Sequence, residues 1–486
     1  MRFFEIVLLI ACSILPFIIS LKGIRSKRKL VLIAITSILA LDLIIEGYRW
    51  QMIPAYLITL IIFWYLCRNY SIFKGGWLRK TLTCFGLILI LVLAWALPII
   101  LPIFNLPTPT GKFSIGSQYL HLKTDADEII TPETNDTREL MIKVWYPAQL
   151  NNEATEPYLN AGDRIGFATK YGLPKSTFNY LNAIKTHTYE SPALEEGKFP
   201  VLIFSHGLYS KASGYYALIE NIVSHGYIVL NINHTYESTG SLFPNGDLKL
   251  FHTDYDKANN QDMADMVWDA LQAFEKAKSS EEKLASIEYL IRNYMAAEIT
   301  QRWSKDISLV IDELEHWNSA SFLAQHLDVS KIGVFGHSQG GSAAGQAMIE
   351  NDKIKAGISI DGVQWGTMID TVLTKPFAII SSDWGGSHPN FNKHIYRNRS
   401  VSDFYNAKLL KSGHPNFMDI PLMINLPLIN ECGPIDPVKG FEITNKMILQ
   451  FFDSYLLNKT SNLLNLNTKY KEIKIELLNK NQQNVP

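Results

Sequence analysis

The sequence predicts an α/β fold with a mostly parallel sheet, preceded by an all-α transmembrane segment of about four helices. Three observations carry this expectation. Residues 1–105 hold 11 Lys/Arg against three acids (Glu5, Asp42, Glu46), a net +8, while the remainder holds 34 basic and 43 acidic residues, a net -9. Beyond residue 105, short apolar runs of strand length alternate with helical patterns, as in a sheet covered on both faces. One Gly-His-Ser-Gln-Gly-Gly segment joins such a run to a small-residue helix. The whole chain of 486 residues carries only -1, which argues against a general nucleic-acid binder. Of the four cysteines (Cys12, Cys67, Cys84, Cys432) only Cys432 lies in the acidic part, so a disulfide-stapled scaffold is excluded.

The N-terminal part contains four apolar runs, at about 3–21, 30–48, 52–67 and 81–104. About 20 apolar residues cross a hydrocarbon core. The first and fourth runs meet that length. The second carries Asp42 and the third is short, so these two are expected to form a tight hairpin with Glu46 and Arg49 near one interface. Asp42 is read as a pairing group inside the bundle or as a residue near the interface. The loop Lys22–Lys29 and the loop holding Arg68, Lys74, Arg79 and Lys80 are basic and belong on the cytoplasmic side. Four spans then leave everything after about residue 105 outside the cell membrane. A cleaved signal peptide is disfavoured, because the positive charge follows the first apolar run. Pro102, Pro107 and Pro109 mark 105–111 as a linker, and the second domain is assigned to 106–486.

Within that domain, 112–122 and 139–146 alternate apolar and polar residues and suit an antiparallel start. Buried-type strands follow at Pro200–Phe204, Tyr227–Ile232, Lys331–Phe335, Ala356–Ile360 and Pro376–Ile380. Tyr215–Ser224 and Ile307–Trp317 read as intervening helices. No strand is expected between about 237 and 303. There Met263, Met266, Val267, Ala270, Leu271 and Phe274 recur at helical spacing, as do Leu284, Ile287, Leu290 and Ile291. This segment is read as a helical insertion, either a lid or added core. The Asn/Lys-rich tail after about 458 is expected to be a partly ordered terminus.

The chemistry concentrates in four short segments. Gly336-His337-Ser338-Gln339-Gly340 is a G-x-S-x-G directly after a buried strand. Such a turn lifts the serine hydroxyl above the sheet, and the helix N-terminus behind it favours developing negative charge. Ser338 is therefore the expected nucleophile. Its base must follow late in the chain, where His414 lies in Ser412-Gly413-His414-Pro415; His388 and His394 compete. Asp361 and Asp383 each end a strand, and position alone does not choose between them as the acid. Ser205-His206-Gly207-Leu208 follows another strand, and the amides of Leu208 and Gln339 are expected to hold the oxyanion. His206 is read as a support for that loop.

These segments together resemble the secreted and lipoprotein-associated type of platelet-activating factor acetylhydrolase and its microbial relatives, in the α/β-hydrolase superfamily. The resemblance rests on Arg138, Leu140 and Val144–Ala148, on 199–208 and 224–234, and on 306–314, 327–344, 356–362 and 413–420. It covers most of 112–456. It implies an α/β-hydrolase domain and selects Asp361 as the triad acid, because that family draws its acid from the strand after the nucleophile helix. It implies His414 as the base and Leu208 as the oxyanion residue. Gln339 stands where relatives often carry Phe, and one His precedes Pro415 where others often pair two.

The expected activity is ester hydrolysis by a Ser338–His414–Asp361 triad, with no metal or organic cofactor. The apolar N-terminal part favours a lipid substrate: a phospholipid with a short or oxidised acyl chain. A carboxylesterase or thioesterase on small soluble esters is the nearest alternative, and a catalytically silent membrane receptor is a second. The expected partners are the membrane and a lipid or small-ester substrate, with no nucleic acid.

Overall fold

A computed structural model describes all residues except 20, 69–71, 74, 134, 260–262, 384–387, 398–399 and 479–486. The chain divides into two units, which are described separately. The first comprises Met1–Asn105 with the segments Asn179–Ile184 and Leu422–Asn430. The second comprises the rest.

In the second unit, apolar runs without polar interruption become central strands, because both faces of each are covered. Six strands run parallel in the spatial order Phe404–Leu409, Phe377–Ser381, Ile354–Ile360, Leu327–His337, Phe199–Ser205 and Ile228–Asn233. Thr137–Gln149 adds to the last of these antiparallel, followed by Ser114–Asp127. At the other edge Ile473–Leu478 pairs antiparallel with Phe404–Leu409. The parallel strands therefore point their C-terminal ends to one edge of the sheet, where catalytic groups gather in open α/β sheets. Val201, Ile203, Leu230, Val334 and Ile379 are buried in one core with the helices that cover the sheet.

Two expectations need correction here. Phe404–Leu409 is a further parallel strand beyond the five expected; the tail, expected to be partly ordered, contributes Ile473–Leu478 as an edge strand. The 237–303 segment is not wholly helical. It opens with a hairpin of two three-residue strands, Gly240–Leu242 and Leu248–Leu250. The helices Met263–Lys276 and Ser280–Asn293 then bury Ala270, Phe274, Ile287, Leu290 and Ile291 in the main core. Their apolar stripe is core packing. Thr253–Asn259 buries no residue. The 105–111 stretch is tied down at its end, where Asn221 Oδ1 accepts the Thr110 N–H and Ser224 Oγ accepts the Gly111 N–H.

The first unit is helical, but the expectation of about four spanning helices is corrected to two candidates among the described residues. Among the described residues, Trp50–Arg68 (19 residues) and Trp77–Ile100 (24 residues) are long and apolar enough to cross a membrane. The first run forms Phe3–Ile18, 16 residues or about 24 Å at 1.5 Å per residue, short of the hydrocarbon thickness. The second is interrupted. Arg28–Leu41 is a helix of 14 residues that passes into a π turn at Asp42–Glu46. The polar groups explain the break, since buried charges demand partners. Tyr56 donates to Asp42 at 3.0 Å, and the buried Arg49 pairs with the buried Glu5 at 2.6 Å.

Candidate active site

The Leu327–His337 strand ends at the centre of the sheet and the Gln339–Glu350 helix starts one residue later. Ser338 lies between them with φ 55° and ψ -120°, a strained conformation for a residue with a side chain. The sequence permits this turn because its flanks are glycine. A Cβ at Gly336 would lie 2.2 Å from the Gly340 carbonyl oxygen, and one at Gly340 would lie 2.1 Å from that of Ser205. Neither site has room for a methyl group. The helix behind the turn is buried through Ser342, Ala343, Ala344 and Gly345, so its small residues let it pack close to the sheet.

The neighbouring strand, Ile354–Ile360, delivers Asp361 to the same edge. Asp361 accepts the Ser382 N–H with Oδ1 at 2.7 Å, and its Oδ2 lies 2.7 Å from His414 Nδ1. Burial raises this carboxyl, but the hydrogen bond and charge of His414 outweigh it and hold the group down at about 2. It is ionised at neutral pH. His414 sits on a single turn, His414–Phe417, anchored by the buried Phe417 and by Asn416 Oδ1, which accepts the N–H groups of Gly413 and Gly433. The rival Asp383 is exposed; it accepts the Lys411 N–H at 3.0 Å and lies 3.7 Å from Lys408. His394 Nδ1 is engaged by Ser280 Oγ at 2.9 Å, and the side chain of His388 lies outside the described residues. Ser338 Oγ has no hydrogen-bond partner among the described residues. The geometry thus joins Asp361 to His414 directly and brings Ser338 to the same sheet edge.

The Phe199–Ser205 strand ends beside this turn. A Cβ at Gly207 would stand 3.3 Å from Ser338 Cβ, so the Gly207–Leu208 peptide passes against the serine. Among the described residues, neither the Leu208 nor the Gln339 N–H has a protein acceptor. Both are free to donate to a ligand oxygen. The Gln339 side chain turns away, donating to the Ala296 carbonyl at 2.9 Å and to Thr300 Oγ1 at 2.8 Å.

Sequence reasoning missed two further groups. Tyr215 OH accepts the Gly207 N–H at 3.2 Å and lies 3.1 Å from His337 Nδ1. His337 Nε2 reaches the His414 carbonyl at 3.2 Å. This chain ties the Gly207 turn, the Ser338 turn and the His414 loop together. Burial pushes His337 down to about 3, so it stays neutral and can bridge an acceptor and a donor. Its place beside the serine in the motif was the available signal; nothing in the sequence linked Tyr215 to it.

Beside Leu208 opens a cavity of about 30 Å³, lined in part by Tyr236, Phe251, Tyr255, Met295 and Ile299.

Comparison with known proteins decides the family. Residues 102–474 match the family described as platelet-activating factor acetylhydrolase, isoform II. The chain belongs to that family. Platelet-activating factor acetylhydrolase of Cavia porcellus is 23% identical over 378 residues, covering 72% of this chain and 78% of its own. A probable 1-alkyl-2-acetylglycerophosphocholine esterase of Arthroderma benhamiae is 24% identical over 409 residues, covering 76% of this chain and 93% of its own. Among solved structures, a ferulic acid esterase from Streptomyces cinnamoneus superposes with a TM-score of 0.60 at 20% identity, covering 77% of this chain and 99% of its own. That likeness, with the mixed sheet, fits an α/β-hydrolase fold. This platelet-activating factor acetylhydrolase relative is an esterase by family.

Proposed function

We propose that the protein is a membrane-anchored serine hydrolase that removes short or oxidised acyl chains from phospholipids. The observation that carries this reading is the 2.7 Å contact between an ionised, buried Asp361 and His414 beside the strained Ser338 turn.

In this mechanism Asp361 fixes the His414 tautomer with the proton on Nδ1, leaving Nε2 as the base. Ser338 Oγ attacks the ester carbonyl carbon while His414 takes the hydroxyl proton. The carbonyl oxygen becomes an oxyanion and accepts the N–H groups of Leu208 and Gln339. The intermediate collapses, the C–O bond breaks, and His414 returns the proton to the departing lysophospholipid alcohol. A water then gives its proton to His414 and attacks the acyl-enzyme. The free acid leaves and Ser338 recovers its proton. No step needs a metal or an organic cofactor.

The anchor would be the helices Trp50–Arg68 and Trp77–Ile100, about 28 and 36 Å long. Their exposed faces are apolar, with Leu57, Leu60, Phe63, Leu82, Phe85, Ile88 and Val92 turned outward. The basic loop between them favours the cytoplasmic side, which leaves the catalytic unit outside. A substrate that partitions into the bilayer is then concentrated at the tethered enzyme.

The test is labelling of the full chain in detergent with a fluorophosphonate. Wild type is expected to be labelled on Ser338, and Ser338→Ala to be unlabelled while remaining folded. Absence of labelling in the folded wild type would sink the reading and favour a silent receptor.

A further inference from the structure

Beneath the oxyanion turn lies a second Ser–His–Asp chain, sealed from solvent. Ser205 Oγ is 2.8 Å from His234 Nε2, and His234 Nδ1 is 2.7 Å from Asp306 Oδ2. Arg138 donates twice to Asp306, at 3.1 and 2.7 Å, and once to Glu128 at 2.9 Å. The His234 ring stacks on Trp303 with centroids 3.8 Å apart and planes 6° apart. Ser205, His206 and His234 are wholly buried and Asp306 is 2% exposed. No substrate reaches Ser205, so this chain is not a second nucleophilic site.

It does have an outlet. The His234 N–H donates to His206 Nε2 at 3.2 Å, and His206 Nδ1 lies 2.7 Å from the Gly207 carbonyl oxygen. That pattern assigns the His206 proton to Nδ1, because Nε2 must keep a lone pair for the His234 amide. Burial pushes His206 down to about 3, so the ring stays neutral as the pattern requires. The Gly207 carbonyl and the Leu208 N–H belong to one planar trans peptide and point in opposite directions. Holding the oxygen therefore aims the hydrogen.

We propose that Asp306, His234 and His206 form a buried positioning relay that aims the Leu208 N–H at the oxyanion. Asp306, itself held by Arg138, orients His234; Ser205 fixes the other edge of that ring; the His234 amide holds His206; and His206 holds the peptide. These are positioning residues, since none of them touches the reacting atoms. The proposal rests on the serine-esterase reading above.

The test compares His206→Asn with His206→Gln in the full chain, on a short-chain ester. An asparagine amide reaches the place of Nδ1 and can still donate to Gly207, whereas a glutamine amide reaches the place of Nε2. His206→Gln is expected to lower kcat by on the order of 100-fold with KM within about threefold, because one misaimed oxyanion donor acts only in the transition state. Affinity for a trifluoromethyl ketone should fall in step with kcat/KM. His206→Asn should stay within about tenfold of wild type. Ser205→Ala, a smaller change that keeps the fold if a His206 variant does not, should lower kcat roughly tenfold at unchanged KM. Equal loss in the two His206 variants, or unchanged kcat in folded His206→Gln or Ser205→Ala, would overturn the relay alone. A wild type without Ser338-dependent turnover would overturn the relay and the esterase reading together.

Discussion

Replacing Asp361 by Asn removes one charge and almost no volume, so it isolates what the carboxylate does. Asp361 is 5% exposed and meets His414 Nδ1 at 2.7 Å. An amide presented there offers the histidine either a donor or a neutral acceptor. It neither stabilises the imidazolium nor fixes the tautomer that leaves Nε2 free. In triad hydrolases that change costs about 10⁴-fold in kcat, or about 5.5 kcal/mol of transition-state stabilisation. Asp361→Asn should show a loss of that order at nearly unchanged KM. Asp383→Asn is the matched control, because that carboxylate is exposed and, among the described residues, meets only Lys411 and Lys408 near the same sheet edge. Its kcat should stay within about twofold, since exposed pairs contribute about 0–1 kcal/mol. The assay is steady-state hydrolysis of a short-chain ester by the full chain, with melting curves to show that each variant is folded. An inactive Asp383→Asn beside an active Asp361→Asn would refute the assignment of the acid.

Other outcomes follow from the same geometry. His206 and His337 are held at about 3, below the ordinary value of 6.5, so between these limits the unfolded chain binds protons that the folded one refuses. Stability should then fall as pH drops from about 6.5, by up to about 1.4 kcal/mol per pH unit for each histidine. Asp361, held at about 2, loses its contribution in a lower window, from about 4 downward. Urea midpoints at pH 7 and pH 5 read the histidine effect, and equal midpoints would contradict it. Gly340→Ala would push a methyl to 2.1 Å from the Ser205 carbonyl oxygen, so turnover should fall by on the order of 10² and stability by roughly 1–3 kcal/mol. Esterase assay and melting of that variant check both. The full chain should stay with the membrane pellet after alkaline carbonate extraction, and its release would argue against the two-helix anchor.

Much of the catalytic unit was legible because its signals are local. Runs such as PVLIF and KIGVF have no polar interruption, and only a doubly covered strand suits them. The G-x-S-x-G turn carries its own steric reason in Gly336 and Gly340. Phe404–Leu409 was harder, since Asn406 and Lys408 break its apolar character. Ile473–Leu478 alternates within a polar tail, and its pairing partner lies about 70 residues away in sequence. The hairpin at 240–250 is held by strands of three residues, too short for any period to register. In the first unit, hydropathy alone overcounted the spans because Asp42 ends a helix that its apolar neighbours would continue. Strand position alone left Asp361 and Asp383 open; the family resemblance selected Asp361, and in the structure it is Asp361 that meets His414. The pairing of His234 with Asp306 joins residues 72 apart, and no local pattern announces it.

The central claim is a Ser338-dependent esterase that prefers short acyl chains on a phospholipid. It is tested most directly with the full chain in detergent, wild type against Ser338→Ala, on phospholipids and simple esters with acyl chains of about two to sixteen carbons. The account predicts hydrolysis of short-chain phospholipid that declines with acyl length and vanishes in the variant. Hydrolysis confined to simple soluble esters would keep the mechanism and discard the lipid. Turnover that survives Ser338→Ala would contradict the account.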